Sequence, residues 1–347
     1  MSGPLVSVCL PNLNTRPFLE LRIASILDQS YSNWELVISD NFSEDGAWEY
    51  FQAVASREPR VSIAQAPREG MYANWNKCVE RARGEYIYIA TSDDVMPPNC
   101  LQKLVDALDA NPDCDIAHCP LLPIDESGQE LTALRDWWWS KSAFAQSSGA
   151  LVRSMHVRTA PHDGLLHLLG SSVYISMTQL LIRRTLFERV GMFDARWGSV
   201  GDFNWNMRAG LVANTVHVPD TGGGWRLHAS QATAAVAFKS PEFADKVDAM
   251  IDHALHSCAH SLAPEVLRPL ESAWLEEASE LRRYLLGLRN QAGWLAKILY
   301  AGTCVLRGSA AARSHLLLRL RGKPMSDWLT LRLSEALPGK RLLQPRR

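Results

Sequence analysis

The sequence predicts an α/β fold: a mainly parallel, mixed sheet flanked by helices, followed by a helical, basic C-terminal extension. Three observations predict it. Short apolar runs of strand length alternate with helical apolar stripes over the first 120 residues, the pattern of repeated strand–helix–strand units. Polar residues collect directly after those runs, where ligands bind beyond the carboxyl ends of parallel strands. The charge is divided: residues 281–347 carry fourteen Lys/Arg and two Asp/Glu, a net of +12, which leaves −13 on the rest of a chain whose total is −1.

Strands are read at 5–10, 34–39, 61–64, 85–90 and 115–119. Each is a short apolar run bounded by turn formers. Helices are read between them. Leu19, Ile23, Ile26 and Leu27 recur at i, i+4, i+7 and i+8. Met71, Trp75, Cys78, Val79 and Ala82 repeat that stripe, as do Leu101, Leu104, Val105 and Leu108; this spacing places apolar side chains on one helical face. Residues 120–170 are less regular, with Pro120, Pro123, Gly128, the triple Trp137-Trp138-Trp139 and Ser147-Ser148, and fit a variable insertion. A strand-like run at 173–182, a short helix at 185–190 and a turn at Gly191 follow. Residues 241–280 read as helical and the remainder as amphipathic helices. The division expected is a domain 1–240, with halves 1–120 and 121–240, and an extension 241–347.

Composition excludes several classes. A chain of 347 residues that is 47% hydrophobic and 21% charged is neither collagen-like, low-complexity nor globally disordered. Its seven cysteines are dispersed with no CxxC pair, against a disulfide scaffold, and fit a reducing cytoplasm. An acidic body with a basic tail is unlike a nucleic-acid binder, whose basic face belongs to the folded domain. It suits a body resting on an anionic membrane surface. Residues 1–4 lead straight into an apolar strand, so no targeting segment is expected. No apolar run approaches the roughly 18–20 residues of a membrane span; the best candidate, 292–306, is short and contains Lys297. The expectation is a cytoplasmic protein, peripheral on the inner face of the membrane.

Four motifs carry chemistry. Ser92-Asp93-Asp94 follows the apolar run 85–90. Adjacent carboxylates repel, and a cation between them and a ligand relieves this. Magnesium or manganese takes carboxylate oxygens together with substrate phosphates. The bland alternative is a cap for the helix that starts near Pro98. Next, Asp40-Asn41 with Ser43 and Asp45 follows a buried strand and can bond a base or ribose, or simply form a polar turn. Third, Gly191-Met192-Phe193-Asp194 precedes Gly201-Asp202, with Arg208 six positions on. An acidic residue opening a helix can serve as a general base, or it can be a first-turn Asp favoured by the helix dipole. Last, Trp225-Arg226-Leu227-His228 follows Gly222-Gly223-Gly224, a backbone able to approach a ligand closely.

In this order the motifs resemble the inverting family 2 glycosyltransferases of GT-A fold. The stretches that match are Val6-Ser7-Val8-Cys9-Leu10-Pro11-Asn12-Leu13-Asn14; Trp34-Glu35-Leu36-Val37-Ile38-Ser39-Asp40-Asn41; Gly70-Met71-Tyr72-Ala73-Asn74-Trp75-Asn76 leading to Ala82-Arg83-Gly84; Ser92-Asp93-Asp94; and Gly191 through Asp202 to His228. They cover residues 4–235. The resemblance implies that Pro11, Asn14 and Asp40 line a nucleotide pocket, with Arg68 reaching it. It implies that Asp93 and Asp94 stand at the DxD-type position and hold Mn2+ or Mg2+, and through it a diphosphate; that Asp202 is the catalytic base; and that His228 is a further metal ligand. Trp225 and Arg226 would contact acceptor or sugar. Three departures stand out: Leu13 where the family often has an aromatic, Thr91 and Ser92 where it often has its first carboxylate, and Gly201 where a Glu often precedes the base.

The implied reaction moves a sugar from a nucleoside diphosphate to a hydroxyl of a glycan or lipid-linked acceptor in surface polysaccharide assembly. A cation stabilises the departing diphosphate, a carboxylate takes the acceptor proton, and one direct displacement inverts the anomeric carbon. The other reading is a non-catalytic nucleotide- or glycan-binding module on the same fold. A nucleotidyltransferase lacks support, for no Gly-rich triphosphate loop with a Lys follows the first strand. In the tail, Trp294, Leu295, Ile298, Leu299, Val305 and Leu306 form an apolar stripe beside Arg289, Lys297 and Arg307, and Leu316, Leu317, Leu318 and Leu320 lie among Arg313, Arg319 and Arg321. Such helices can lie in a membrane interface, form a homo-oligomer contact, or cover the acidic body.

Overall fold

The computed structural model describes residues 3–168, 172–232, 240–269, 290–306 and 343–345, with residues 236, 279–280, 283–284, 287–288 and 313. Its first strands are continuous apolar runs: β1 (Val6–Asn12) and β2 (Trp34–Asp40) are buried along their whole length, as strands covered on both faces must be. With β3 (Val61–Gln65) and β4 (Tyr86–Ile89) they run parallel in the order β3-β2-β1-β4. Helices α1 (Arg16–Leu27), α2 (Ala47–Ala55) and α3 (Met71–Arg81) make the crossovers, and α4 (Cys100–Ala110) leads to β5 (Ile116–His118). Two apolar clusters lie on opposite faces of this sheet. Val6, Val8, Leu10, Leu36 and Ile38 pack with α1, α2 and α4; Cys9, Val37, Ile87 and Ile89 pack with α3 and with later helices.

The segment 120–170 is more ordered than its sequence suggests. It holds β6 (Leu121–Ile124), α5 (Thr132–Lys141), α6 (Ala143–Ser148), β7 (His156–Arg158) and α7 (His162–Leu168). These elements are too short to show a period, and α6 relies on a cap, Ser142, whose hydroxyl accepts from the amide of Ala145 at 3.1 Å. Trp138 lies fully buried and stacks on Phe144 at 4.9 Å, so it is core. Of the run 173–182 only the end is a strand, β8 (Leu180–Arg183); a 3-10 turn at Met177–Gln179 precedes it. Then come α8 (Arg184–Val190), α9 (Gly201–Val212), β9 (Thr215–His217), β10 (Gly223–Arg226), α10 (Pro241–Cys258), α11 (Pro264–Pro269), the helix Gly293–Leu306 and β11 (Leu343–Pro345).

The sheet corrects one expectation. Among the described residues its nine strands, in the order β11-β7-β9-β5-β8-β4-β1-β2-β3, are joined by four parallel and four antiparallel pairings. It is mixed rather than mainly parallel. β7 runs backwards beside β9, from the carboxyl rim to the amino end, and β8 again starts at the carboxyl rim and runs backwards between β4 and β5. One sheet thus passes through both halves of the domain. The extension also begins inside the core: Val247, Met250, Ile251 and Leu255 of α10 are buried, and Asn204 of α9 donates to the Met250 carbonyl at 3.0 Å. The helical stripe expected at 316–320 lies outside the described residues. No helix among the described residues is long and apolar enough to cross a membrane.

The Ala82-Arg83-Gly84 motif is structural. A Cβ on Gly84 would stand 2.6 Å from both the Leu5 carbonyl and the Ser7 amide nitrogen. The close approach lets the Gly84 amide donate to Ser7 Oγ at 2.8 Å, while Ser7 Oγ donates to Glu35 Oε1 at 2.6 Å and the Arg83 guanidinium closes on Glu35 at 2.8 Å. This network ties β1, β2 and the start of β4 at their amino ends.

Candidate functional site

The carboxyl ends of β1 and β2 are joined by side chains. Asn12 Nδ2 donates to Asp40 Oδ1 at 2.8 Å and to Ser43 Oγ at 3.0 Å. Asp40 also accepts the Ser43 amide at 2.9 Å on Oδ2 and the Ser43 hydroxyl at 2.6 Å on Oδ1. Asp40 is therefore fully buried and bonded on both oxygens. Asn14, left-handed with φ 52°, gives its amide to Ser43 Oγ at 2.9 Å and accepts the Glu44 amide on Oδ1 at 2.9 Å. Pro11 is buried within β1 and pairs with Ser39. Arg68 reaches across from the loop after β3, giving Nε to the Asn41 carbonyl at 2.8 Å and pairing with Glu44 at 2.6 Å. Asn74, in the first turn of α3, donates to the Ser39 carbonyl at 3.0 Å and seats that helix on the same rim.

The two aspartates after β4 have separate environments. Asp94 is buried; its Oδ1 accepts the Arg226 amide at 2.8 Å and its Oδ2 accepts the hydroxyls of Thr91 and, at 3.1 Å, Ser176. Burial, reinforced by the charge of Asp93, pushes its carboxyl up to about 7, against the lowering effect of those hydrogen bonds. Asp93 is the more open carboxylate. Its Oδ2 lies 2.9 Å from His228 Nε2, a contact between residues 135 apart in sequence. His228 Nδ1 lies 2.8 Å from Ser230 Oγ, and its ring packs 4.6 Å from that of Phe18 in α1.

Arg226, expected to touch acceptor or sugar, is fully buried and acts as a strut. Its Nε donates to the Asp93 carbonyl at 2.7 Å and its Nη1 to the carbonyls of Asp125 and Glu126 at 3.0 and 2.7 Å. Trp225 beside it is half-buried. The triple glycine approaches its own chain: Cβ atoms on Gly222, Gly223 and Gly224 would stand 2.5–2.6 Å from Leu122, Thr178 and Val95. This lets β10 slot beside β6, in parallel pairing, and carries His228 to Asp93.

Asp202 opens α9, half-buried. Its Oδ1 accepts the Tyr72 hydroxyl at 2.8 Å and the Phe203 amide at 2.8 Å. Burial raises its carboxyl above the usual range, more than these two donors lower it. Gly201 fits this contact, for a Cβ there would stand 2.6 Å from the Tyr72 ring. The motif at 191–194 docks on α3: Asn76 Nδ2 donates to the Phe193 carbonyl at 2.8 Å and Asn76 Oδ1 accepts the Phe193 amide at 3.1 Å. Ser43 was named beside Asp40 in the sequence, whereas Tyr72, Ser176 and Phe18 were not singled out by sequence reasoning. Tyr72 alone had a signal, its place in the Gly70-Met71-Tyr72 stretch.

A divalent ion is consistent with part of the expected ligand set. Among the described residues no group of three or more His, Cys, Asp and Glu is placed to hold a metal, and both oxygens of Asp94 are taken inside the protein. Asp93, with its side chain 23% exposed, and His228, nearly buried beside it, supply one carboxylate and one imidazole. Such a pair suits a hard cation that draws its remaining ligands from phosphate oxygens and water.

Residues 7–162 match the family described as Glycosyl transferase family 2. Asp202, Trp225, Arg226 and His228 lie beyond that stretch. The glycosyltransferase GlyG of Streptococcus pneumoniae is 27% identical over 193 residues, 55% of this chain and 61% of that protein. Other relatives have names that refer to teichuronic acid and colanic acid biosynthesis, in Bacillus subtilis and Escherichia coli. The chain spans 15%, 41% and 46% of the length of the first curated relatives it matches. Among solved structures, TarS of Staphylococcus aureus, residues 1–349, superposes with a TM-score of 0.59 at 13% identity, covering 95% of this chain and 88% of that one. The mannosyltransferase PcManGT of Pyrobaculum calidifontis, solved with GDP-Man and Mn2+, gives 0.51 at 16% identity, covering 97% and 88%. The chain shares the fold of these glycosyltransferases, and residues 7–162 carry the family 2 likeness.

Proposed function

We propose that this chain is an inverting, metal-dependent glycosyltransferase of GT-A type that moves a sugar from a nucleoside diphosphate to a hydroxyl of a glycan or lipid-linked acceptor in surface polysaccharide assembly. The observation that carries the reading is the meeting of Asp93 with His228 at 2.9 Å, beyond β4 in a sheet whose neighbouring β1 and β2 end in the laced Asn12–Asp40 pocket. The nucleotide would lie over that pocket, within reach of Pro11, Asn14 and Arg68. Asp93 and His228 would hold Mn2+ or Mg2+, which when bound neutralises charge on the diphosphate. Relatives named for cell-surface polymers and the PcManGT complex with GDP-Man and Mn2+ support the donor and acceptor classes.

Asp202 would take the proton. The acceptor oxygen attacks the anomeric carbon as its hydrogen passes to the carboxylate. The bond from that carbon to the diphosphate oxygen breaks with its electron pair, and configuration inverts. Oδ1 is engaged by Tyr72 and Phe203, so Oδ2 is the oxygen for this task. The raised carboxyl strengthens the base near neutral pH.

The test is transfer with a panel of nucleotide sugars, with Mg2+ or Mn2+ added. Asp93→Ala and Asp202→Asn are each expected to lower kcat by about 10²-fold or more while melting as the parent does. Metal affinity, followed by calorimetry, should fall in Asp93→Ala and in His228→Ala alone. Parent-like turnover in both aspartate variants would overturn the reading.

The partner at the C-terminal end would be an anionic membrane. In the helix Gly293–Leu306, Trp294, Leu295, Ile298 and Leu299 are 74%, 58%, 55% and 64% exposed, in a segment of net charge +12. A basic amphipathic helix of this kind binds where apolar insertion and charge act together. Flotation on phosphatidylglycerol vesicles, lost in Ile298→Glu, is expected; flotation equal with and without residues 281–347 would remove this partner.

A further inference from the structure

Phe42 combines two features that packing does not explain. Its backbone has φ 53°, in the left-handed region that favours glycine and is rare for a bulky side chain. Its ring is 50% exposed, so burial does not offset the strain. The neighbours hold it there. Asn41 gives Nδ2 to the carbonyls of Ala66 and Pro67, each at 3.0 Å. The Ser43 amide is bonded to Asp40 at 2.9 Å. Arg68 donates to the carbonyls of both Asn41 and Phe42. Leu13, on the facing loop, is 44% exposed and is held in the same manner, between Asn12, bonded to Asp40 and Ser43, and Asn14, bonded to Ser43 and Glu44. Two loops laced together therefore each present one exposed apolar side chain at the rim where β1 and β2 end.

The geometry points to Phe42, with Leu13 on the loop laced to its own, as the platform on which the planar base of a nucleoside diphosphate stacks. This deepens the reading of a nucleotide donor and rests on it. Unfavourable backbone conformations persist where surroundings over-determine them, and they cluster at ligand sites. An aromatic face accepts any base, because every base has a π-face. Stacking has more to supply here than elsewhere, for Asp40 is buried with both oxygens bonded inside the protein and offers little to the edge of a base.

The experiment uses the full chain, with calorimetric titration of UDP, GDP, ADP and CDP and of inorganic pyrophosphate, all with Mg2+. Phe42→Gly relieves the left-handed strain, so Tm rises by about 2–4 °C. The same variant weakens the best nucleotide about tenfold or more and leaves pyrophosphate affinity unchanged. Phe42→Trp retains nucleotide affinity. Gain in stability with loss of base-dependent affinity is the signature of a ligand-facing ring. Unchanged nucleotide affinity in Phe42→Gly overturns the platform and leaves the donor reading standing. A fall in Tm with equal loss of pyrophosphate also overturns it, since the ring would then be packing. A parent that binds pyrophosphate and no nucleotide overturns both.

Discussion

Asp93 and Asp94 are adjacent in sequence and opposite in task. Asp94 accepts from Arg226, Thr91 and Ser176, so it fixes the loop from which Asp93 projects. Asp94→Asn turns an NH2 toward those donors and leaves buried groups unpaired, at a cost of about 1–3 kcal/mol; Tm should fall. Asp93→Asn should melt near the parent and lose transfer. Equal melting of both variants would contradict this division. Tyr72 gives a second prediction. Tyr72→Phe keeps the ring against Trp75 at 4.9 Å and removes the donor to Asp202. That donor favours the ionised carboxylate, so its loss raises the pKa of the base. The acid limb of the pH–rate profile should move to higher pH, with a smaller change at high pH; an unmoved limb would show that Tyr72 only packs. Asp40, Asp93 and Asp202 were legible in sequence because each sits just past a strand or at a helix start. Tyr72 and Ser176 were not, because they meet their partners across 130 and 82 residues, and only the fold makes those pairs neighbours.

At the scale of elements, the five strands of the first 120 residues and helices α1, α3 and α4 were legible because apolar period reports which faces are covered; α2, only nine residues long, was not read from period. Strand direction was not: β8 has the same composition whether it runs with β4 or against it, and the path of residues 119–179 decides. Helix crossings were equally silent. Where α7 meets α9, a Cβ on Gly210 would stand 2.5 Å from the Gly164 amide nitrogen, and a Cβ on Gly164 would stand 2.5 Å from that of Leu211. Backbones this close leave no room for a methyl group. Gly210→Ala must push α9 away, with Asp202 at its first turn. The expected cost is about 1–3 kcal/mol, read as a lower urea midpoint with unchanged slope, together with a lower kcat. A loss of stability with full kcat would show that the shift is absorbed before it reaches Asp202.

The molecule as a whole carries a second polar centre, on the far strands of the sheet. His118, His217 and His156 stand in one row across β5, β9 and β7, for the register pairs His118 with His217 and His217 with His156. Their rings lie 5.6 and 5.1 Å apart, all buried, as is His167. Ten histidines scattered along the sequence gave no hint of this, since register brings them together. Among the described residues the strong cation beside them is Arg158, paired with Asp163 at 2.7 and 2.9 Å. Burial, with the positive charge of Arg158 adding, holds His118 and His217 well below the ordinary imidazole range, and His156 and His167 at about 4. These are neutral in the folded state near pH 6. The unfolded chain protonates them near 6.5, so it takes up protons first as pH falls. Their stabilisation is complete above about 6.5 and is lost downward toward about 4, each group contributing up to about 1.4 kcal/mol per pH unit. Asp94, raised to about 7, and Asp202, raised in the same direction, have the opposite sign, since their stabilisation belongs to the acid side and fades as pH rises; two carboxyls do not cancel four imidazoles. Asp163, held well below the carboxylate range, adds its loss only at pH below about 4. Urea midpoints measured from pH 7.5 to 4.5 should therefore fall steeply below pH 6.5, and His156→Gln should flatten that slope. A midpoint independent of pH across the window would mean that the row is not buried as neutral imidazole, and that the far edge of the sheet is open to water.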